Sequence, residues 1–167
     1  MVPPDDTESD PVPEESGTLV DRRLPPLFRR AWYSLNQAFR RRIAHLDLTP
    51  DQYTVLRNLF EAGPQGVTQS ELASNMSSDP NTVASLVDRM ERADLLHRQT
   101  DPDDRRARRL RLAPDGRKKF RLALSLANQL QREVLAPLSP TEAAYFFTVL
   151  DKIATACRNA AERESQT

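Results

Sequence analysis

Basic side chains are crowded into one stretch of the sequence. They are Arg105, Arg106, Arg108, Arg109, Arg111, Arg117, Lys118, Lys119 and Arg121. A guanidinium group forms paired, charge-assisted hydrogen bonds with phosphate, and an arginine at a loop tip can enter a narrow minor groove of DNA. The carboxylate of Asp104 could hold Arg106 extended, or the two could form a solvated pair that contributes little. This stretch therefore indicates a polyanionic partner.

Short polar side chains form one face of a predicted helix just before this stretch. The face comprises Asn81, Thr82, Ala84, Ser85 and Arg89, and the opposite face comprises Val83, Leu86, Val87 and Met90. The polar side chains can donate and accept hydrogen bonds, as base edges in the major groove require, and Ala84 could contact a thymine methyl group. Taken alone, such a face could simply face water. The neighbouring arginines favour a DNA-recognition helix.

Capping residues and the helical spacing of apolar residues define the elements that position these groups. Thr49, Thr68, Asp79 and Ser139 are suited to cap helices that start at the next residue. The pattern predicts helices over residues 21–46, 50–62, 69–76, 80–93, 114–136 and 140–163.

A β-hairpin is predicted between the fourth and fifth of these helices. Leu110 and Leu112 alternate with arginines, a period of two that is typical of a strand, and residues 95–100 can pair with it antiparallel. Residues 101–106 contain a proline and aspartates, which favour a turn. The order of elements predicts a mainly α fold, a winged helix-turn-helix with a two-stranded β-hairpin wing and terminal dimerisation helices.

The sequence also divides by composition. We predict an acidic, proline-rich tail over 1–18 without a packed element, helical dimerisation regions over 19–47 and 114–163, and a DNA-binding lobe over 48–113.

Short segments distributed along the chain match a known family. They are LTPDQY at 48–53, ELA at 71–73, LVDRME at 86–91, LL at 95–96, DPDDRR at 101–106 and LAPDG at 112–116. With these segments, the stretch from Leu48 to Phe120 resembles the MarR family of transcriptional regulators.

The resemblance implies roles for particular residues. The family's Asp-x-Arg wing motif matches Asp104 and Arg106, which implies that Arg106 enters the minor groove and that Asp104 holds it. The polar face of the fourth helix, from Asn81 to Arg89, matches the family's DNA-contacting face. We add Arg98, Arg105 and Arg108 to the predicted wing contacts. Ala113 stands where the family usually has threonine, which predicts a weaker cap on the fifth helix.

Apolar residues at alternating steps of four and three follow the first and last helices. They are Phe28, Trp32, Leu35, Phe39, Ile43 and Leu46, and Ala143, Phe147, Leu150, Ala154, Cys157 and Ala161. Such stripes could pack within one monomer or against a second copy. Their positions at the two ends of the chain suit a homodimer, which the resemblance also implies. The predicted dimer contacts are Phe28, Trp32, Leu35, Phe147, Leu150, Ala154 and Cys157.

Many MarR-like regulators release DNA when a small aromatic or phenolic anion binds, and the resemblance implies this ligand class. Trp32, His45, Tyr53 and Arg57 could line the pocket, but a core aromatic residue and a satisfied histidine are alternative interpretations. Cys157 could be a redox sensor, although we expect it to be packed in the last helix, where a thiol is usually inert.

Composition excludes several other classes of protein. The single cysteine cannot form an internal disulfide and the start resembles no export signal, so we expect a cytoplasmic protein. No apolar run approaches the roughly 20 residues that span a bilayer. A glycine-rich phosphate loop and metal-spaced ligands are missing, so we expect neither an enzyme nor a metal or cofactor site.

The sequence therefore predicts a homodimeric regulator, a repressor of the MarR type that binds a pseudo-palindromic site in double-stranded DNA and is released by a small ligand. The alternatives are a winged-helix module that binds protein, and a thiol-based sensor that uses Cys157. The operator, the regulated genes, the identity of the ligand and the choice between repression and activation are left open by the sequence.

Overall fold

A computed structural model describes residues 23–100 and 108–164 of the chain. The helices are α1 (Leu24–Ile43), α2 (Pro50–Ala62), α3 (Gln69–Asn75), α4 (Pro80–Arg92), α5 (Pro114–Leu135) and α6 (Pro140–Glu164). All the predicted helices are present, with ends within a few residues of those expected. The first ends early, because residues 44–46 form a 3-10 turn and Asp47 takes a left-handed φ of 53°.

The strands form a small antiparallel sheet. They are β1 (Val67–Thr68), β2 (Leu96–Thr100) and β3 (Arg108–Leu112), and their order in the sheet is β1-β3-β2. The predicted hairpin is confirmed, with Arg98 opposite Leu110. The prediction missed β1, since two residues are too few to show a period. Gly66 allows β1 to approach β3, because a Cβ there would lie 2.5 Å from the Leu110 carbonyl oxygen.

Side-chain caps fix the starts of the helices as the sequence predicts. Thr49 and Thr68 each form a reciprocal capping box, with Gln52 and Glu71 respectively. Ser139 and Glu142 do the same before α6, where the Glu142 carboxylate accepts hydrogen bonds from the Ser139 amide and hydroxyl. No side chain caps α5 at Ala113, as predicted from the alanine at this position.

One apolar core joins α2, α3, α4 and the sheet to the end of α1 and to α5. Its largest fully buried side chains include Ile43, Leu56, Leu72, Met90 and Phe120. The core therefore draws on residues from both the predicted lobe and the predicted dimerisation regions. The division of the chain into those regions remains a prediction.

The chain divides into two units after Leu35, and in each of them some of the described apolar side chains are exposed. In the first unit, Phe28, Trp32 and Leu35 are all exposed. In the second unit, Phe39 and Ile43 are buried, so this part of the first apolar stripe packs within the monomer.

The helix α6 contains no buried side chain among its described residues. Phe147 and Ala154 are exposed, and Leu150 is only partly buried. Cys157 is also exposed, contrary to the expected packing. Its neighbours in the stripe, Ala154 and Ala161, are also exposed.

None of the helices in the described part of the chain is long and apolar enough to cross a membrane.

Candidate nucleic-acid interface

The helices α3 and α4 form a helix-turn-helix with a tight, hydrogen-bonded turn. The Ser78 amide donates to the Ala73 carbonyl, which closes the end of α3. Ser77 takes a left-handed φ of 48°, the conformation that ends helices of this kind. The turn ends at Asp79, the N-cap residue of α4.

Asp79 organises the first turn of α4. One carboxylate oxygen accepts hydrogen bonds from the Asn81 and Thr82 amides, at 2.9 and 3.1 Å. These amides have no partner within the helix, and the carboxylate also complements the positive end of the helix dipole. The cap therefore orders the turn that carries two of the predicted base-contacting side chains.

The two faces of α4 differ as predicted. Val83, Leu86, Val87 and Met90 are buried in the core. On the other face Asn81, Thr82, Ser85 and Arg89 are exposed and Ala84 is half-buried. Core packing thus fixes the rotation of the helix, and its hydrogen-bonding side chains face outward.

The base of the wing is formed by the paired strands β2 and β3. Arg108 opens β3 and is exposed, in register with Thr100 on β2. The predicted tip residues Asp104, Arg105 and Arg106 lie outside the described residues. β2 and β3 are paired along their full length, from Leu96 opposite Leu112 to Thr100 opposite Arg108.

Arg98 has a different environment from the one predicted. Its guanidinium forms ion pairs with Asp88, at 2.5 Å, and with Glu91. Partial burial lowers the pKa of the Arg98 guanidinium, but its hydrogen bonds to the two carboxylates outweigh this effect and raise the pKa overall. The predicted wing arginine is therefore joined to the recognition helix, a contact that the sequence analysis missed.

The residues predicted to line a ligand pocket have separate environments. Tyr53 is buried, with its ring edge-on to Phe39 and stacked on Phe120, and burial raises the pKa of its hydroxyl. Arg57 is exposed and pairs with Glu61 at 2.7 Å. His45 is also exposed.

Trp32, the fourth predicted pocket residue, is 66% exposed and belongs to the first unit.

Two neighbouring grooves lie beside the start of α5. The larger, of about 500 Å³, combines apolar with basic side chains: Leu112, Pro114, Arg117, Lys118, Arg121 and Leu122. The smaller, of about 200 Å³, includes His45 together with Lys118 and Lys119. His45, one of the predicted pocket residues, thus lines the smaller of these two grooves.

The fold and this site define a winged helix-turn-helix protein of the DNA-binding class. The model of the MarR family matches residues 48–107. The chain belongs to the MarR family and is a transcriptional regulator that binds DNA.

Similar proteins support this assignment over most of the chain. The transcriptional regulator HosA of Escherichia coli O111:H- is 31% identical over 135 residues, which cover 78% of this chain and 98% of HosA.

Two solved structures of similar proteins concern ligands. BpsR of Bordetella bronchiseptica, whose DNA binding is regulated by 6-hydroxynicotinic acid, has a TM-score of 0.72 and 27% identity, covering 80% of this chain and 94% of BpsR. CouR of Rhodococcus jostii RHA1, solved with p-coumaroyl-CoA, has a TM-score of 0.71 and 26% identity, covering 77% of this chain and 89% of CouR.

Proposed function

We propose that this regulator is a repressor that binds a pseudo-palindromic operator as a homodimer and works in the cytoplasm by binding alone, without catalysis. The observation that carries the proposal is the exposed polar face of α4, which is capped, packed from behind and followed by a basic hairpin. A recognition helix in the major groove and a wing in the minor groove are the contacts that this arrangement suits.

A homodimer explains the exposed apolar side chains of the single chain. On α6, Tyr145 is 71% exposed and Phe147 is 45% exposed. In the first unit, Trp32 and Tyr33 are exposed to a similar extent. Large apolar surfaces of this kind commonly mark interfaces, and a two-fold dimer would place two recognition helices on half-sites about one DNA turn apart.

Selection of duplexes from a randomised pool tests the operator. We expect an enriched near-palindrome with half-sites spaced by about one helical turn. In a titration of the selected duplex, Arg106→Ala should weaken binding, and in thermal melting it should leave the melting temperature unchanged, because the role proposed for Arg106 is contact with DNA and not packing. Unchanged affinity for this variant would refute the minor-groove role of Arg106, and unenriched pools would refute specific recognition.

We propose that the effector is a small aromatic or phenolic anion. Support comes from the ligands of two similar proteins, since 6-hydroxynicotinic acid of BpsR is an aromatic acid and p-coumaroyl-CoA of CouR is the thioester of a phenolic acid. The larger groove beside α5 offers both an apolar wall and cationic groups, Arg117 and Arg121 among them. The test is release of a bound duplex by 6-hydroxynicotinic acid and by p-coumaroyl-CoA, repeated with Arg121→Ala. Release that is unaffected by this substitution would place the ligand elsewhere.

A further inference from the structure

Arg98 lies where three elements of the DNA-binding lobe meet. Its side chain extends from β2 to Asp88 and Glu91 on α4, and one terminal nitrogen also lies 3.5 Å from the Gln69 amide oxygen at the start of α3. The planar guanidinium suits this arrangement, because its fixed fork of donors can serve several acceptors at once.

The backbone of Arg98 takes part in the same contact. β2 is an edge strand of the sheet, and the outward amide of Arg98 donates to the Glu91 carboxylate at 3.0 Å. Glu91 thus accepts hydrogen bonds from both the backbone and the side chain of one residue. The base of the wing is therefore attached to the last turns of the recognition helix.

The charges of Arg98, Asp88 and Glu91 also affect how a surface that contacts DNA attracts or repels phosphate. The Asp88 side chain is 49% exposed and lies one turn beyond Ser85 on α4. An unpaired carboxylate there would repel phosphate, and the ion pair with Arg98, which also pairs with Glu91, reduces this repulsion. The Arg98 side chain itself is only 19% exposed, which leaves little of it available to a phosphate.

We propose that Arg98 is a positioning residue for DNA recognition, one that fixes the wing against α4 and offsets part of the negative charge of Asp88 and Glu91, and not a phosphate contact. The proposal rests on DNA binding by this lobe. It predicts that the change in DNA affinity on losing Arg98 depends on the presence of the two carboxylates. Substitutions of residues that act through one network have non-additive effects.

The test is a substitution cycle in the full-length protein, comprising Arg98→Ala, the pair Asp88→Ala and Glu91→Ala, and all three together. The probes are a duplex selected from the random pool and a scrambled duplex of equal length. We expect Arg98→Ala to weaken binding of the selected duplex about tenfold in the native chain. In the variant that already lacks both carboxylates, the same substitution should weaken binding by less than about threefold.

Salt dependence separates this role from a phosphate contact. A lost phosphate contact would lower the log–log salt slope by about 0.9 and weaken both duplexes equally. Such a result, with the same loss in the carboxylate-free background, would overturn the proposal. Arg98→Lys keeps the charge but not the fork, so full affinity in this variant would overturn it too.

Two controls keep the result interpretable. Arg42→Ala removes an arginine from its ion pair with Glu133 and should leave DNA affinity unchanged. Hydrogen exchange of the free protein gives a measure that needs no DNA, since Glu91→Ala should expose the Arg98 amide to rapid exchange. Unchanged exchange in this variant would show that the Arg98 amide does not donate to Glu91. Because this measurement needs no DNA, it distinguishes a missing contact from a failure of operator binding. Affinities are compared at a temperature where circular dichroism shows every variant folded.

Discussion

Gly116 is the point at which α5 meets the base of the wing. A Cβ at this position would lie 1.8 Å from the Leu95 carbonyl oxygen, a backbone atom that cannot rotate away. The same carbonyl accepts a hydrogen bond from the Ala113 amide, so the approach is part of how α5 is attached. Glycine is required here by the closeness of two backbones, although it lies within a helix.

Replacing Gly116 tests this contact. Alanine favours a helix by about 1 kcal/mol over glycine, but forcing a methyl group into a filled space costs about 1–3 kcal/mol and here requires α5 to move. We expect Gly116→Ala to lower the free energy of unfolding by about 2 kcal/mol, measured by urea denaturation. Asp115→Ala, one residue earlier and exposed, is the control and should change stability by about 0.5 kcal/mol or less. Equal effects of the two substitutions would contradict the steric argument.

At the scale of elements, the recognition helix is held at both ends and from behind. Asp79 caps its first turn, and at its end the Leu95 amide donates to the Met90 carbonyl while Asp94 adopts a left-handed φ of 53°. Three independent constraints thus fix the axis and rotation of one short helix. DNA recognition depends on this, because base-edge hydrogen bonds tolerate little displacement of their donors.

Loss of the Asp79 cap should affect both stability and binding. We expect Asp79→Ala to lower the free energy of unfolding by about 1 kcal/mol and to weaken operator binding, because the turn carrying Asn81 and Thr82 frays. Asp79→Asn keeps the acceptor oxygen and should bind nearly as well as the native chain. Thermal melting and a duplex titration measure the two effects. Native-like binding by the alanine variant would show that the cap does not order the contacts.

The Ser139–Glu142 cap at the start of α6 stabilises the folded state to an extent that depends on pH. Hydrogen bonds from the Ser139 hydroxyl and amide lower the pKa of the exposed Glu142 carboxyl below its ordinary value of 4.5. The folded state therefore favours the ionised form, and its stabilising effect is fully present above about pH 4.5 and is lost as the pH falls through the lowered pKa.

An NMR titration of the Glu142 side-chain carbon measures this pKa directly. We expect a value below 4.5 in the native chain and a value closer to 4.5 in Ser139→Ala, which removes the hydroxyl donor. Identical titration curves in the two proteins would show that the hydroxyl does not perturb Glu142.

For the molecule as a whole, the proposed homodimer predicts that the exposed apolar side chains of α6 lie in the interface between two copies. Phe147 is half-exposed on α6, and Cys157 is exposed further along the same stripe. We expect Phe147→Asp to weaken self-association at least about tenfold in sedimentation equilibrium, because a buried aromatic anchor often dominates an interface. Lys152→Asp, off the stripe on the same helix, is the control. A dimer unaffected by Phe147→Asp would exclude this face of α6 as the interface.

The local structure of the chain follows from residue types and their spacing. Helix ends follow from caps such as Thr68 and Asp79, which act on amides two or three residues away. The faces of α4 follow from the helical period, and the β2–β3 hairpin follows from alternation around Leu110. All of these interactions are short in range along the chain, so residue type and spacing suffice to predict them.

Contacts between groups that are distant along the chain became known from the folded structure. It brought Arg98 onto Asp88 and Glu91 rather than leaving it free for DNA, and it added β1 beside β3. It also placed Tyr53 in the core between Phe39 and Phe120, and left Cys157 uncovered in the single chain. These outcomes depend on how whole elements pack. The residues next to an arginine, a tyrosine or a cysteine in the sequence do not show whether its side chain will contact the core, a carboxylate or solvent.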